Sequence, residues 1–280
     1  MKILSEEFSI IDLCEALEVS RSGYYAWLKE DERPRARANA QLVAEIKAIF
    51  QANDENYGSP RITQALRKEK KIYNHKRIER LMRAEGLRAG TRKPYRVMTT
   101  DSNHDHPIAP NLLPEKQIVR PNQAWTVDIT YVRTDEGWLY LAGVLDLYSR
   151  KIVGWAMEDH LETSLPLAAL GMALRQRRPG HGLLHHSDRG VQYASQQYRQ
   201  VLSASGLEPS MSRKGNCYDN ATMESFWGTL KNELVYRTTY ATRDEARRSI
   251  FTWIETYYNR KRIHSSLGYN SPVDFENQLN

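Results

Sequence analysis

The chain of 280 residues is 40% hydrophobic and 26% charged, the composition of an ordinary globular protein long enough for two small domains. No apolar run approaches the roughly 20 residues of a membrane helix, and the first residues lack a basic-then-apolar leader, so membrane spanning and secretion are not expected. The two cysteines, Cys14 and Cys217, are too few for a disulfide framework or a cysteine zinc site and fit a reducing cytoplasm. The net charge of +6 is unevenly spread: residues 61–96 carry 13 Lys and Arg against 3 Asp and Glu, leaving 27 basic and 31 acidic residues elsewhere. A charge run alone reads equally as a solvated helical face, so the pattern around it decides.

In chain order, Ser9 is placed to cap a short helix carrying Ile10, Leu13, Cys14 and Leu17. Ser20 is placed to cap a second, SGYYAWLK, that packs Tyr24 or Tyr25, Trp27 and Leu28. Two short helices about a tight turn, residues 1–30, fit part of a helix-turn-helix and a plain packing hairpin equally. The polar EDERPRARANA reads as a linker. A helical unit then occupies residues 38–96. Leu42, Ile46, Ile49 and Phe50 share one face of a helix over residues 38–52. Gly58 breaks it, with Ser59 as the next N-cap and Pro60 at the first helical position. Asn74 caps a third helix, HKRIERLMRAEGL, with Ile78, Leu81 and Met82 inward, Lys76, Arg77, Arg80 and Arg83 outside, and Gly86 closing it. Three helices, the last with a basic face, are the arrangement that sets a recognition helix into the major groove of DNA, so residues 38–96 read as a DNA-binding domain.

Prolines at 107, 110, 114 and 121 make residues 97–121 an extended linker. Strands follow in AWTVDITYVR, WLYLAGVLDLYS and KIVGWAMED, the first two joined by the turn TDEG. A helix from Thr163 or Ser164 to Arg178, a short buried strand in HGLLHHSD, a helix over 195–205 and a last strand in GLEPSMS come next. Two C-terminal helices, over 221–236 and 244–259, complete an α/β core of a mixed sheet with helices packed on it, residues 122–280.

Three carboxylates stand out. Asp128 lies mid-strand in an apolar run, where a charge is costly unless it is paired or binds a cation. Asp188 ends a strand before a glycine-containing loop, and Glu224 lies in the first turn of a helix. Carboxylates so placed can converge on Mg²⁺, and two ions about 3.5–4 Å apart can activate an attacking oxygen and stabilise a leaving one. The position types alone fit equally a satisfied buried Asp, a turn Asp and a Glu favoured by the helix dipole.

The surrounding words separate the two readings. AWTVDITY, HHSDRGVQYAS and MSRKGNCYDNATMESFWGTLKNEL resemble the three signature blocks of bacterial insertion-sequence transposases with a retroviral-integrase-like core. Asp188 and Glu224 are separated by 35 residues, as in that superfamily's Asp-Asp-35-Glu pattern. NYGSPRIT with HKRIERLMRAEGLRA resembles the family's accessory helix-turn-helix, SRSGYYAWL its N-terminal block, and YNRKRIHSSLGYNSPVDFE its closing segment. The resemblance spans nearly the whole chain and is closest to the second-reading-frame (OrfB-type) product of the insertion-sequence-3 family.

That resemblance implies a ribonuclease H-like α/β fold: a mixed five-stranded sheet with flanking helices, preceded by all-α helix-turn-helix segments. It makes Asp128, Asp188 and Glu224 the catalytic ligands of Mg²⁺ or Mn²⁺, two ions, for cleavage at the element's 3′ ends and strand transfer by the freed 3′-OH. Lys231, seven residues after Glu224 and on the same helical face, would meet DNA phosphate near the scissile bond, and Asn216, Tyr218 and Asn220 would meet terminal bases. The implied partners are terminal inverted repeats, target DNA, further copies of the chain on DNA and the upstream-frame (OrfA-type) product; no membrane is implied.

Several residues compete for attention. His185 and His186 lack a second His/Cys pair at zinc spacing and read as orienting Asp188 or filling the strand end. Asp146 and Asp219 are the acids that rival the assigned three. Trp227, Trp253, Tyr257 and Tyr258 read as helix packing. The rival functions are a catalytically silent DNA-binding relic or regulator, disfavoured by the unbroken triad, and a nuclease without strand transfer, which would not need the long basic module.

Overall fold

In the computed structural model, which describes residues 8–28, 34–90, 106–213 and 220–279, a first compact unit, Met1–Ala89, is followed by a second, Gly90–Asn280. The first is helical. Ser9 caps α1 (Ile10–Ala16), its Oγ accepting from the Asp12 N–H at 3.2 Å. Ser20 does the same for α2 (Arg21–Leu28) through the Gly23 N–H at 3.0 Å. The pair buries Leu13, Cys14 and Tyr24, but Trp27, expected in the packing, is 53% exposed. An eight-residue helix turns one narrow stripe inward, and Tyr24 fills it while the Trp27 ring stacks on Tyr24 at 6.0 Å.

The expected linker is corrected too. Helix α3 (Pro34–Ala52) starts inside it, because Pro34 brings a preset helical φ and the following Ala and Arg residues are strong helix formers. Leu42, Ile46 and Phe50 are buried as expected. The N-cap of α4 (Ser59–Lys68) is Gly58 rather than Ser59, whose hydroxyl is drawn instead to His75 Nε2 at 3.1 Å. Asn74 caps α5 (His75–Ala84), accepting from the Lys76 N–H at 2.8 Å, and Ile78, Leu81 and Met82 face inward. Gly86 takes φ +69 just beyond the helix end, the left-handed step that glycine allows. Lys76, Arg80 and Arg83 are exposed, whereas Arg77 is only half-exposed. Its guanidinium donates to Asn39 Oδ1 at 2.8 and 3.1 Å, tying α5 to α3.

In the second unit β1 (Ala124–Thr134), β2 (Gly137–Asp146) and β3 (Ile152–Glu158) form an antiparallel meander. Two short strands, β4 (Leu184–Ser187) and β5 (Glu208–Met211), extend it in parallel, giving the order β3-β2-β1-β4-β5. Helix α6 (Ser164–Arg177) connects β3 to β4, and α7 (Val191–Ala194) and α8 (Gln196–Ala204) connect β4 to β5. Helices α9 (Ala221–Glu233), α10 (Arg243–Thr252) and α11 (Pro272–Asn277) follow, with α10 continuing into a π-helical stretch, Trp253–Tyr258. This is the mixed five-stranded sheet with flanking helices that the sequence implies.

Strand alternation makes two cores. Trp125, Val127 and Ile129 pack with Leu165 and Leu170 of α6 and Tyr198 of α8 on one face. Val132, Leu139 and Leu141 pack with Met223, Phe226 and Leu230 of α9 and Ile250 of α10 on the other. Among the described residues no helix is long and apolar enough to cross a membrane.

Candidate active site

The parallel pairing of β1 with β4 sets Ala124 beside Leu184, Trp125 beside His185 and Thr126 beside His186. Asp188 follows directly on the end of β4, two residues past the last of these pairs, as Asp128 is on β1, and its carboxylate is near enough to act on that of Asp128. On the other side Asp128 is paired with Gly143 of β2. A side chain there would collide with α9: a Cβ on Gly143 would stand 2.6 Å from Met223 Cε and 2.9 Å from Trp227 Cη2. The glycine therefore lets the helix lie close to the sheet opposite Asp128, and Trp227 Nε1 donates to Asp128 Oδ2 at 3.0 Å. Glu224, one helical turn before Trp227, is exposed at the same end of α9.

The electrostatics follow from this convergence. Burial, then the Asp188 carboxylate, with Glu224 adding to them, push Asp128 up to about 8 against the Ile129 N–H and Trp227 donors. Asp188 Oδ1 accepts from the Gly190 N–H at 2.9 Å, holding the loop after β4. Lys231 lies half-buried with Nζ 5.1 Å from the Tyr131 ring centroid. Burial lowers its proton affinity and the Asp128 carboxylate works the other way. Three acids and one lysine thus meet where β1, the end of β4 and α9 come together.

Other candidates fall elsewhere. Asp146 is buried, but its oxygens accept backbone N–H bonds from Asn122 at 2.7 Å, Tyr148 at 2.9 Å and Ser149 at 3.1 Å, closing the turn after β2. His185 is bonded to the Tyr198 hydroxyl at 2.9 Å, and burial pushes it down to about 3. His186 lies between Ser210 at 2.9 Å and Ser212 at 3.0 Å, so both rings fill the β4 end. Asn216, Tyr218 and Asp219 lie outside the described residues. Asn220 is 8% exposed, accepts from the Thr126 hydroxyl and donates to Val127 O at 3.4 Å, so it is part of the floor of the site. Among the described residues the trio whose ligand atoms close within 4.8 Å of one another is Glu158, Asp159 and His160 at the β3 end; Asp128, Asp188 and Glu224 are set wider. Trp227, expected only to pack, is also a site residue through its bond to Asp128, and Gly143, which lets it approach, is announced by no motif. A glycine in the middle of an apolar strand is the signal that could have found it.

A family model described as integrase core domain matches residues 119–217, a second integrase core domain model matches 205–272, and an HTH-like domain model matches 36–95. The chain is 47% identical over 264 residues to the insertion element IS600 uncharacterized 31 kDa protein of Shigella sonnei, covering 94% of this chain and 97% of that one. It is 40% identical over 275 residues to transposase InsF for insertion sequence IS3A of Escherichia coli K12, covering 97% and 95%. A simian T-cell lymphotropic virus intasome structure is 14% identical with a TM-score of 0.49 over 76% of this chain and 70% of that one. An integrase core preceded by an HTH-like module defines the class, a polynucleotidyl transferase acting on DNA. The chain belongs to the IS3 family of insertion-sequence transposases.

Proposed function

We propose that Asp128, Asp188 and Glu224 are the catalytic residues of this transposase and hold its divalent ions, Mg²⁺ or Mn²⁺, two in number. The observation that carries the reading is the convergence of Asp188 and Glu224 on Asp128, a half-buried mid-strand acid held by Trp227, whose carboxyl is pushed up by burial and by these two acids. Such a concentration of negative charge is relieved by a cation, and an all-oxygen donor set suits a hard one. Bound ions supply Lewis-acid stabilisation of the attacking and leaving oxygens at the phosphodiester.

The protein's own residues do the rest. Trp227 fixes one oxygen of Asp128, leaving the other for the ion side. The Gly190 N–H fixes Asp188. Lys231 stands beside the carboxylates to meet the phosphate of the DNA strand, its ammonium steadied over Tyr131. Water and then the freed 3′-OH act in line at the same centre, so that 3′-end cleavage and strand transfer need no covalent protein intermediate. Residues 38–96 form the DNA-binding domain, residues 97–121 the linker and residues 122–280 the core. The exposed Lys76, Arg80 and Arg83 carry the phosphate contacts of α5. Copies of the chain assemble on the element's inverted repeats and join them to target DNA in the cytoplasm, at the nucleoid, together with the upstream-frame product.

The test is junction PCR in cells carrying a minimal element with native ends. Junctions from the wild-type chain and none from Glu224→Gln, with DNA binding by gel shift retained, are expected. Normal joining by Glu224→Gln overturns the triad. Junctions from neither chain, with or without the fused upstream frame, favour the silent relic.

A further inference from the structure

Arg150 occupies the turn between β2 and β3 with φ +62, a left-handed conformation where glycine or asparagine is at ease and a long side chain is not. The backbone is pinned there: its N–H donates to Asp146 O at 2.8 Å and its carbonyl accepts from the Tyr258 hydroxyl at 3.1 Å. The turn thus favours a residue without a side chain, yet it holds an arginine. The guanidinium is half-buried, donates from Nη1 to Thr222 Oγ1 at 2.6 Å, and has no carboxylate within ion-pair distance among the described residues. Asp146, the acid whose field reaches it, has both oxygens engaged by backbone N–H groups. A desolvated cation without a counter-charge is a place where an anion is wanted.

The cation also faces open space. Arg150 lines a cavity of about 240 Å³ together with Thr126, Asn220 and Thr222. Thr126 precedes Asp128 by two residues on β1, hence on the same face and about 7 Å along the strand. Thr222 precedes Glu224 by two on α9. The cavity therefore adjoins the acidic cluster while carrying the opposite charge, so the two neighbours favour opposite kinds of ligand.

We propose that Arg150, with the Thr222 hydroxyl, binds a backbone phosphate of the DNA strand next to the phosphate that is cut. A planar guanidinium offers five donors in a fork that matches phosphate oxygens, and the bond to Thr222 aims it. A phosphate held here would fix the strand's register against the carboxylates, which deepens, and rests on, the assignment of Asp128, Asp188 and Glu224 as the cleavage site.

The experiment titrates the full chain with a duplex of the element's terminal sequence over a range of salt concentrations. Arg150→Gly, Arg150→Asn and Arg150→Lys are compared in the wild-type and Glu224→Gln backgrounds, with thermal midpoints measured alongside. Glycine and asparagine both suit the left-handed turn, so these variants keep or raise the midpoint. Their DNA affinity falls on the order of 10-fold, and the slope of log affinity against log salt shrinks by about 0.7–0.9 for the one phosphate no longer neutralised. Lysine keeps the slope and loses part of the affinity. Wild-type affinity and slope in folded Arg150→Gly or Arg150→Asn overturn the proposal, as does a lowered midpoint with an unchanged slope, which makes the guanidinium a structural tie to Thr222. Joining by Glu224→Gln is scored separately and sinks the triad instead.

Discussion

Asp128 illustrates how one residue can oppose folding and serve the site. Its carboxyl sits at about 8 in the folded chain against roughly 3.9 in an unfolded one. Between those values the folded state binds the extra proton, so without divalent ions stability falls as pH rises from about 4 to about 8. Asp128→Asn removes that dependence. The metal-free variant is expected to melt roughly 2–8 °C above the metal-free wild type at pH 8, and to be inactive. Equal midpoints at pH 8, measured by calorimetry with chelator present, contradict the raised carboxyl. Asp128 is legible as an anomaly from sequence because a charge in AWTVDITY needs a reason. Asn220 is not legible in the same way: its place in the word around Glu224 suggests a hand reaching for DNA, whereas its amide is bonded inward to Thr126 and Val127.

At the scale of the element, α9 does the most. Its first turn carries Glu224 and its middle carries Trp227. Its last residue, Glu233, is gripped by the Arg262 guanidinium at 2.7 and 2.8 Å, a buried ion pair that holds the helix end in place. Trp227→Phe keeps an aromatic ring over Gly143 and loses only the N–H. It should fold with near wild-type stability but need more Mg²⁺ for half-maximal end cleavage, reflecting a missing bond to a charged acceptor of about 1.5–3 kcal/mol. An unchanged Mg²⁺ midpoint makes Trp227 packing alone.

Element positions are largely legible because β1 and β2 are long and apolar, α5 carries its period and its Asn74 cap plainly, and α9 buries Met223, Phe226, Trp227 and Leu230 at helical spacing. The failures have local causes. The start of α3 hides behind charged residues of high helix propensity, α7 is four residues long, and the burial of Arg77 depends on Asn39, 38 residues earlier. The short strands β4 and β5 show in their words, but only the register with β1 tells which acid stands beside which.

On the scale of the whole molecule the positive charge is gathered in one region and the acids that matter in another. Lys76→Glu with Arg80→Glu, which leaves Arg77 and its bond to Asn39 untouched, should weaken DNA binding and flatten its salt dependence by roughly 0.9 for each phosphate that α5 no longer neutralises. A slope equal to the wild type's means that α5 faces solvent.

The sheet itself carries a consequence for the order of events during synthesis. Strands β1 to β3 are neighbours in sequence and can pair as soon as they leave the ribosome. Asp188 and Glu224 reach Asp128 only across sequence separations of 60 and 96 residues, the kind of pairing that closes late. If these three acids are the cutting centre, it closes only once α9 has been made, and a nascent or truncated molecule that stops short of α9 and already engages DNA has nothing with which to break it.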